Sequence, residues 1–182
     1  MHFESQFPFV ASDDILRLAN PDRFFYSEQL FCLQYLNRGQ LYQDYFEPTL
    51  DEKKYLAPNR EILLRLFIGE PNDYRYRSMW NKNPSGGKSL AFTKYQKISD
   101  DYMNIRTMIM GMLRLSEIYL IAAETAPTEA ERLSYLNIFR MNRGYLSNSV
   151  KPGDNIQSVI RNEYAREFYG EGQYFYYLKR NN

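Results

Sequence analysis

Glutamates are the residues most able to do chemistry in this chain. Glu117 and Glu124 stand seven positions apart and Glu163 and Glu167 four apart, spacings that place each pair on one side of a helix. Two carboxylates across a cleft are the machinery of glycoside hydrolysis, one a general acid with a raised pKa, the other a base or nucleophile. Arginines accompany these glutamates at every step. Arg114 precedes the first pair, Arg140 and Arg143 lie between the pairs, and Arg166 sits inside the second. A carboxylate beside a guanidinium is held ionised and makes a poor general acid. The same pattern suits a network of Arg–Glu contacts that registers helices on one another. Its members are Arg114, Glu117, Glu124, Arg140, Arg143, Glu163, Arg166, Glu167 and Glu171. The pattern favours this structural network, and a glycosidase remains the minor alternative.

Other chemistries find little support. The run Gly87-Lys88-Ser89 ends like a phosphate-binding loop, but Lys82 stands where that motif needs its first glycine; a hairpin turn is the better reading. A single cysteine, Cys32, and a single histidine, His2 at the terminus, allow neither an internal disulfide nor a Cys/His zinc cluster. No metal and no cofactor is expected. A net charge of +1 gives no electrostatic footprint for nucleic acid.

Aromatic content stands out: 17 Tyr, 12 Phe and 1 Trp. A tyrosine or tryptophan joins a flat apolar face to a polar edge, which suits a sugar platform as well as a core. The stretch "NDYRYRSMW" supplies Tyr74, Arg75, Tyr76, Arg77 and Trp80, and "LYQDYFE" supplies Tyr42 and Tyr45. These are the candidate ligand-binding residues. The competing reading packs the same rings onto the helices.

The elements that would position them fall into two regions. Residues 1–104 read as loop-rich, with a strand in "SEQLFCLQY", a short helix capped by Asn59 and stopped at Gly69, and a strand in "LAFTKYQ". Residues 105–182 read as a helical core. A first long helix runs over about Ile105–Thr125 and carries Arg114, Glu117 and Glu124 on its charged stripe. A second opens on a Thr128/Glu131 capping box and ends at Gly144. A third opens on Asp154 and Gln157 and runs to about Tyr169, and "QYFYYLKRN" forms a short last helix. No stretch approaches the roughly 20 apolar residues of a membrane span, and no signal peptide opens the chain.

Arg114-Leu115-Ser116-Glu117-Ile118-Tyr119-Leu120-Ile121-Ala122-Ala123-Glu124 resembles the R-x-S-E-x-x-L-x-x-A-E helix of the SusD/RagB family of nutrient-binding outer-membrane lipoproteins. The likeness continues through Leu136-Asn137 and Phe139-Arg140. It resumes at Ile160-Arg161-Asn162-Glu163, Arg166-Glu167-Phe168, Glu171-Gly172 and Leu178-Lys179-Arg180. Upstream, Ser27-Glu28-Gln29-Leu30-Phe31 is similar to that family's S-E-x-I-F strand. Departures are Asn142 at a family arginine, with Arg143 one place on, Tyr164 after the first Glu, and Tyr177 before Leu-Lys-Arg. The resemblance implies a mainly α fold of tetratricopeptide-like helix pairs, with loop-rich insertions and a few short strands, corresponding to the C-terminal portion of a larger protein. It further implies non-catalytic capture of an oligosaccharide or peptide at the outer-membrane surface and delivery to a SusC-like TonB-dependent transporter. A lipid anchor would lie in an N-terminal region absent from this chain. A helical scaffold that contacts the transporter is the alternative.

Overall fold

The computed structural model describes residues 5–57, 59–82, 84, 90–97, 108–147 and 149–181. The chain is mainly helical with a few short strands, and it divides into two compact units, Met1–Leu115 and Ser116–Asn182. None of the described helices is long and apolar enough to cross a membrane.

The first unit is built from short elements joined by long loops: α1 (Ser12–Ile15), a 3-10 turn Tyr26–Glu28, β1 (Gln29–Gln34), α2 (Arg38–Leu41), a π-turn Tyr42–Phe46, α3 (Arg60–Leu66), α4 (Tyr74–Ser78), β2 (Trp80–Asn81), β3 (Ala91–Phe92) and β4 (Ile109–Arg114). β1 pairs antiparallel with β4, and β2 with β3. Elements this short bury little backbone. Aromatic rings supply the core instead: Phe46 packs on Phe92 and Tyr95 at 5.5 and 5.6 Å, Trp80 on Phe92 at 5.0 Å, and Phe24 on Tyr95 at 5.8 Å. Ring pairs at such spacings add about 0.5–1.5 kcal/mol each beyond their buried area.

Local signals in this unit act as expected where side chains cap the backbone. The Asn59 side chain accepts from the Glu61 and Ile62 N–H groups and opens α3, and Gly69 follows at φ +78°. "SEQLFCLQY" contributes β1. Of "LAFTKYQ" only Ala91–Phe92 is strand; the partner strand is two residues long, and the Gln96 N–H turns back to the Thr93 carbonyl. The Gly87-Lys88-Ser89 turn and His2 lie outside the described residues.

One correction concerns the expected helix over Ile105–Thr125. Residues 105–107 lie outside the described residues, and Ile109–Arg114 is strand, so α5 is Leu115–Thr125. The ladder partner β1 satisfies the backbone of this segment in extended form. A Cβ on Gly111 would come within 2.5 Å of the Gln29 amide oxygen, so any larger residue here would have to displace the end of that side chain. Arg114 therefore ends a strand and does not belong to the helical stripe. It is buried, with its guanidinium 5.6 Å from the Phe25 ring centroid.

The second unit contains α5 from Ser116 onward, α6 (Glu129–Met141), α7 (Ile156–Glu167) and α8 (Gln173–Arg180). Pro127 closes α5, and the Thr128/Glu131 capping box opens α6 with both reciprocal bonds formed. Helices pack in pairs. Tyr119 meets Tyr135 edge to face, and Arg132 Nε donates to the Ala123 carbonyl, joining α5 to α6. Tyr164 stacks on Tyr177 at 4.3 Å, joining α7 to α8. Leu120, Leu136, Phe139 and Ile160 are fully buried, and each such side chain contributes about 1.5–3 kcal/mol. α7 is capped by Asn155, which accepts from the Ser158 N–H, and not by Asp154. The Asp154 carboxylate instead accepts from the Lys151 N–H and closes the preceding turn.

Candidate functional site

The carboxylates resolve first. In the second unit, Glu163 Oε1 accepts from Arg140 Nη1 at 2.6 Å and from Arg166 Nη1 at 2.8 Å. Glu167 takes both arms of the Arg143 fork, at 3.0 and 2.9 Å. These groups are buried. Glu124 receives Arg180 at 3.2 and 2.7 Å and the Asn181 amide at 2.9 Å. Burial alone would raise the Glu124 pKa; the bonds from Arg180 and Asn181 outweigh it and hold the carboxyl below its ordinary range. A group so held keeps its charge and gives up no proton near neutrality. Glu117 lies within α5 and Glu171 in the turn before α8.

The aromatic candidates are placed very differently from one another. Trp80 is 5% exposed and packs in the core against Phe92. Arg75 is fully buried, paired with the Asp73 carboxylate through Nε at 2.9 Å and Nη2 at 2.6 Å. Asp73 also caps α4, accepting from the Arg75 N–H. Trp80 and Arg75 thus fix the α4–β2 corner and present no open face to a ligand. Tyr74 and Tyr42 are half-buried, whereas Tyr45 and Arg77 are exposed. Burial, with the nearby Glu47 charge, pushes the Tyr42 phenol up.

Tyr76 is the candidate that lines an open groove. Its ring stacks on Phe67 at 4.9 Å, and Lys82 Nζ sits 4.2 Å from its centroid. The groove, of about 540 Å³, is walled by Leu64, Phe67, Ile68, Pro71 and Tyr76. α3 and its Gly69 stop set the Phe67 wall, and α4 sets Tyr76. An aliphatic and aromatic trough with an ammonium at its edge can take the apolar face of a sugar ring.

A second cavity in this unit escaped the sequence reading. It measures about 220 Å³ and is lined by Arg17, Asp22, Arg23, Phe24, Arg38 and Lys94 among others. Arg38, 2% exposed, donates to the Ile109 carbonyl at 2.8 Å and lies 3.7 Å over the Phe24 ring. Arg23 donates to the Ser78 and Thr93 carbonyls at 2.9 and 3.1 Å. These bonds span 55 to 71 residues of sequence, so no local spacing announces them. Burial lowers the pKa of both arginines; Arg38 falls to about 10 although Tyr95 and Asp22 pull it back up, and so stays charged at neutral pH.

A model of the SusD family matches residues 60–182. A SusD superfamily protein from Bacteroides thetaiotaomicron VPI-5482 superposes with a TM-score of 0.71 at 25% identity, over 97% of this chain and 42% of that one. Surface glycan-binding protein A from Bacteroides thetaiotaomicron, solved in complex with laminarihexaose, superposes with a TM-score of 0.63 at 17% identity, over 94% of this chain and 46% of that one; that likeness is one of fold. This chain thus spans less than half the length of either solved protein. No curated protein matches it. With about two thirds of its residues under the family model, the chain belongs to the SusD family.

Proposed function

We propose that the chain serves non-catalytic capture of a glycan at the outer-membrane surface, as part of a lipid-anchored protein that passes its ligand to a SusC-like TonB-dependent transporter. Membership of the SusD family over residues 60–182 carries this reading, and the glycan bound by the structurally similar surface glycan-binding protein A supports it. The described carboxylates that could have served as general acids at Glu163, Glu167 and Glu124 are bound by arginines, which suits a capture protein better than a hydrolase. Within the chain, the Phe67–Tyr76 trough is the surface best suited to stack a sugar ring.

The test is a binding screen of neutral oligosaccharides by calorimetry on this chain, beside Tyr76→Ala. Tyr76 is half-buried at a groove edge, so its truncation should leave the fold intact. Loss of one stacking face should weaken binding about tenfold, near 1–1.5 kcal/mol, with no sugar released by hydrolysis. Turnover of the glycan, or a Tyr76→Ala variant that binds as wild type, refutes the reading of this groove.

A second reading has its own observation. Phe31, Leu33 and Leu36, on and just after β1, are exposed side chains in one short stretch, a pattern that fits contact with another protein surface. Charged substitutions at Phe31 and Leu33 that abolish binding to the transporter while sparing sugar affinity would favour it.

A further inference from the structure

Arg38 is almost wholly removed from solvent and Arg23 is half-buried, yet among the described residues neither forms an ion pair. Their bonds go to neutral carbonyls: Ile109 for Arg38, Ser78 and Thr93 for Arg23. Asp22 is the acid that lines the same cavity, and its two oxygens are taken up by the Phe24 and Tyr26 N–H groups at 3.1 and 2.9 Å. Removing a charge from water without a counter-ion costs several kcal/mol. The other buried arginines with partners on show, Arg75, Arg140, Arg143 and Arg166, all meet carboxylates. Arg23 and Arg38 depart from that pattern at one place, and that place is a cavity.

The cavity walls carry Arg17, Arg23, Arg38 and Lys94 beside Asp22; Arg17 pairs with Asp14 at the exposed rim, so Arg23 and Arg38 are the cations that bond neutral carbonyls there. Low-dielectric walls with an excess of positive charge concentrate the field inside. The backbone that forms one wall is held unusually: Asn20 and Phe25 both adopt positive φ, 57° and 54°. For a bulky phenylalanine this is a true outlier, of the kind that gathers at binding sites. At about 220 Å³ the space equals roughly seven waters at ~30 Å³ each, enough for an acidic head group and not for a whole oligomer. Arg38 also borders a neighbouring cavity of about 260 Å³ lined by Asn37, Gln40, Gln43 and Lys97, where hydrogen-bonding side chains could receive the neutral remainder.

We propose that the Arg23–Arg38 cavity recognises the anionic group, carboxylate or sulfate ester, of an acidic saccharide. The inference rests on the glycan reading above and narrows it to charged sugars. The anion supplies the ion partner that Arg23 and Arg38 lack among the described residues, and the planar guanidinium of Arg38, backed by Phe24, offers it a flat fork of donors.

Calorimetry on the full chain tests this with two matched pairs of probes: trigalacturonate against its methyl ester, and a sulfated disaccharide against its desulfated form. In one pair the acid should bind at least tenfold more tightly than its neutral partner, with the preference shrinking as salt rises. Arg23→Gln and Arg38→Gln should each bring the acid close to the neutral affinity. Should Arg38→Gln fail to fold, Arg38→Lys and the exposed Arg17→Gln serve in its place, each expected to lower acid affinity about threefold and to narrow the preference for the acid over its neutral partner. Equal affinity of acid and neutral forms in both pairs overturns the inference, and so does an acid preference that survives Arg23→Gln. Binding of neutral glycans without acid preference leaves the capture reading standing alone. Equal binding of a triglutamate peptide moves the ligand off sugars and overturns the saccharide assignment, as does failure of every acidic probe to bind.

Discussion

Replacing Glu163 by glutamine keeps the side chain's volume and one acceptor oxygen but removes the charge shared by Arg140 and Arg166. All three groups are buried: 0% of the Glu163 side chain and 7% of each arginine's is exposed. Breaking a buried pair from one side costs about 3–5 kcal/mol; here two guanidinium groups lose the charged oxygen they share, so the upper half of that range is expected. For a chain of this length, each kcal/mol lowers Tm by roughly 2–4 °C, which gives a drop of about 8–20 °C. Calorimetric melting and urea unfolding of wild type and Glu163→Gln measure it directly. A companion variant separates charge from packing. Arg140→Met, Glu163→Leu and Arg166→Met together remove the ions and keep apolar volume, and should recover most of the loss. A Glu163→Gln variant that melts within 2 °C of wild type refutes the idea that this triad ties α6 to α7. Triple replacement less stable than the single one would show that the ions themselves, and not their mutual compensation, hold the helices.

Two further outcomes follow from the geometry. Glu124 has a folded pKa below its ordinary value near 4.5, so its contribution is complete above about pH 4.5 and is lost as pH falls through the lower folded value; because Arg180 is 43% exposed, the whole effect stays within about 1 kcal/mol. Urea unfolding of wild type and Glu124→Gln should therefore differ at pH 7 and draw together as pH falls below about 4.5, and a gap that widens on acidification contradicts the assignment. Gly111→Ala should destabilise by about 1 kcal/mol, because its Cβ meets the Gln29 amide at 2.5 and 2.9 Å and that amide already donates to the Phe24 carbonyl. In a Gln29→Ala background the same change should be nearly neutral, and equal costs in the two backgrounds would refute the contact.

How much of this was legible in the sequence depends on the range of the interaction that decides each element. Asn59, Thr128 with Glu131, and Pro127 act within four residues, and the boundaries they set stand in the structure. Asp154 failed as a cap because two side chains competed for the same helix end and Asn155 won. Extended backbone at Ile109–Arg114 was hidden because its ladder partner lies some eighty residues upstream, and an apolar run with no partner in view reads equally well as helix. Trp80 and Arg75 were legible as chemically capable residues, but burial depends on Phe92 and on the local Asp73 cap, which residue type alone does not disclose. The Arg–Glu contacts were visible as opposite charges on successive helices; which arginine met which glutamate was not.

The residues that reveal the family and those that would hold a ligand differ for a physical reason. Glu163, Glu167, Arg140, Arg143 and Arg166 are engaged with one another inside the helical unit, and a guanidinium committed to a buried carboxylate has little left to offer a sugar. Their spacing is readable because it follows the helix period. Ligand recognition needs the opposite condition, polar groups held rigidly with bonding capacity to spare. The cavity around Arg23 and Arg38 meets that condition, and it is built largely from residues 17–38, which precede the stretch matched by the family model, residues 60–182. A loop wall of this kind can change its charge without disturbing the helix pairs, so two proteins of one fold can differ in ligand while sharing their helical signature. For this chain the decisive comparison is thus between an acid and its ester at Arg38, a buried cation that among the described residues bonds a carbonyl and no carboxylate.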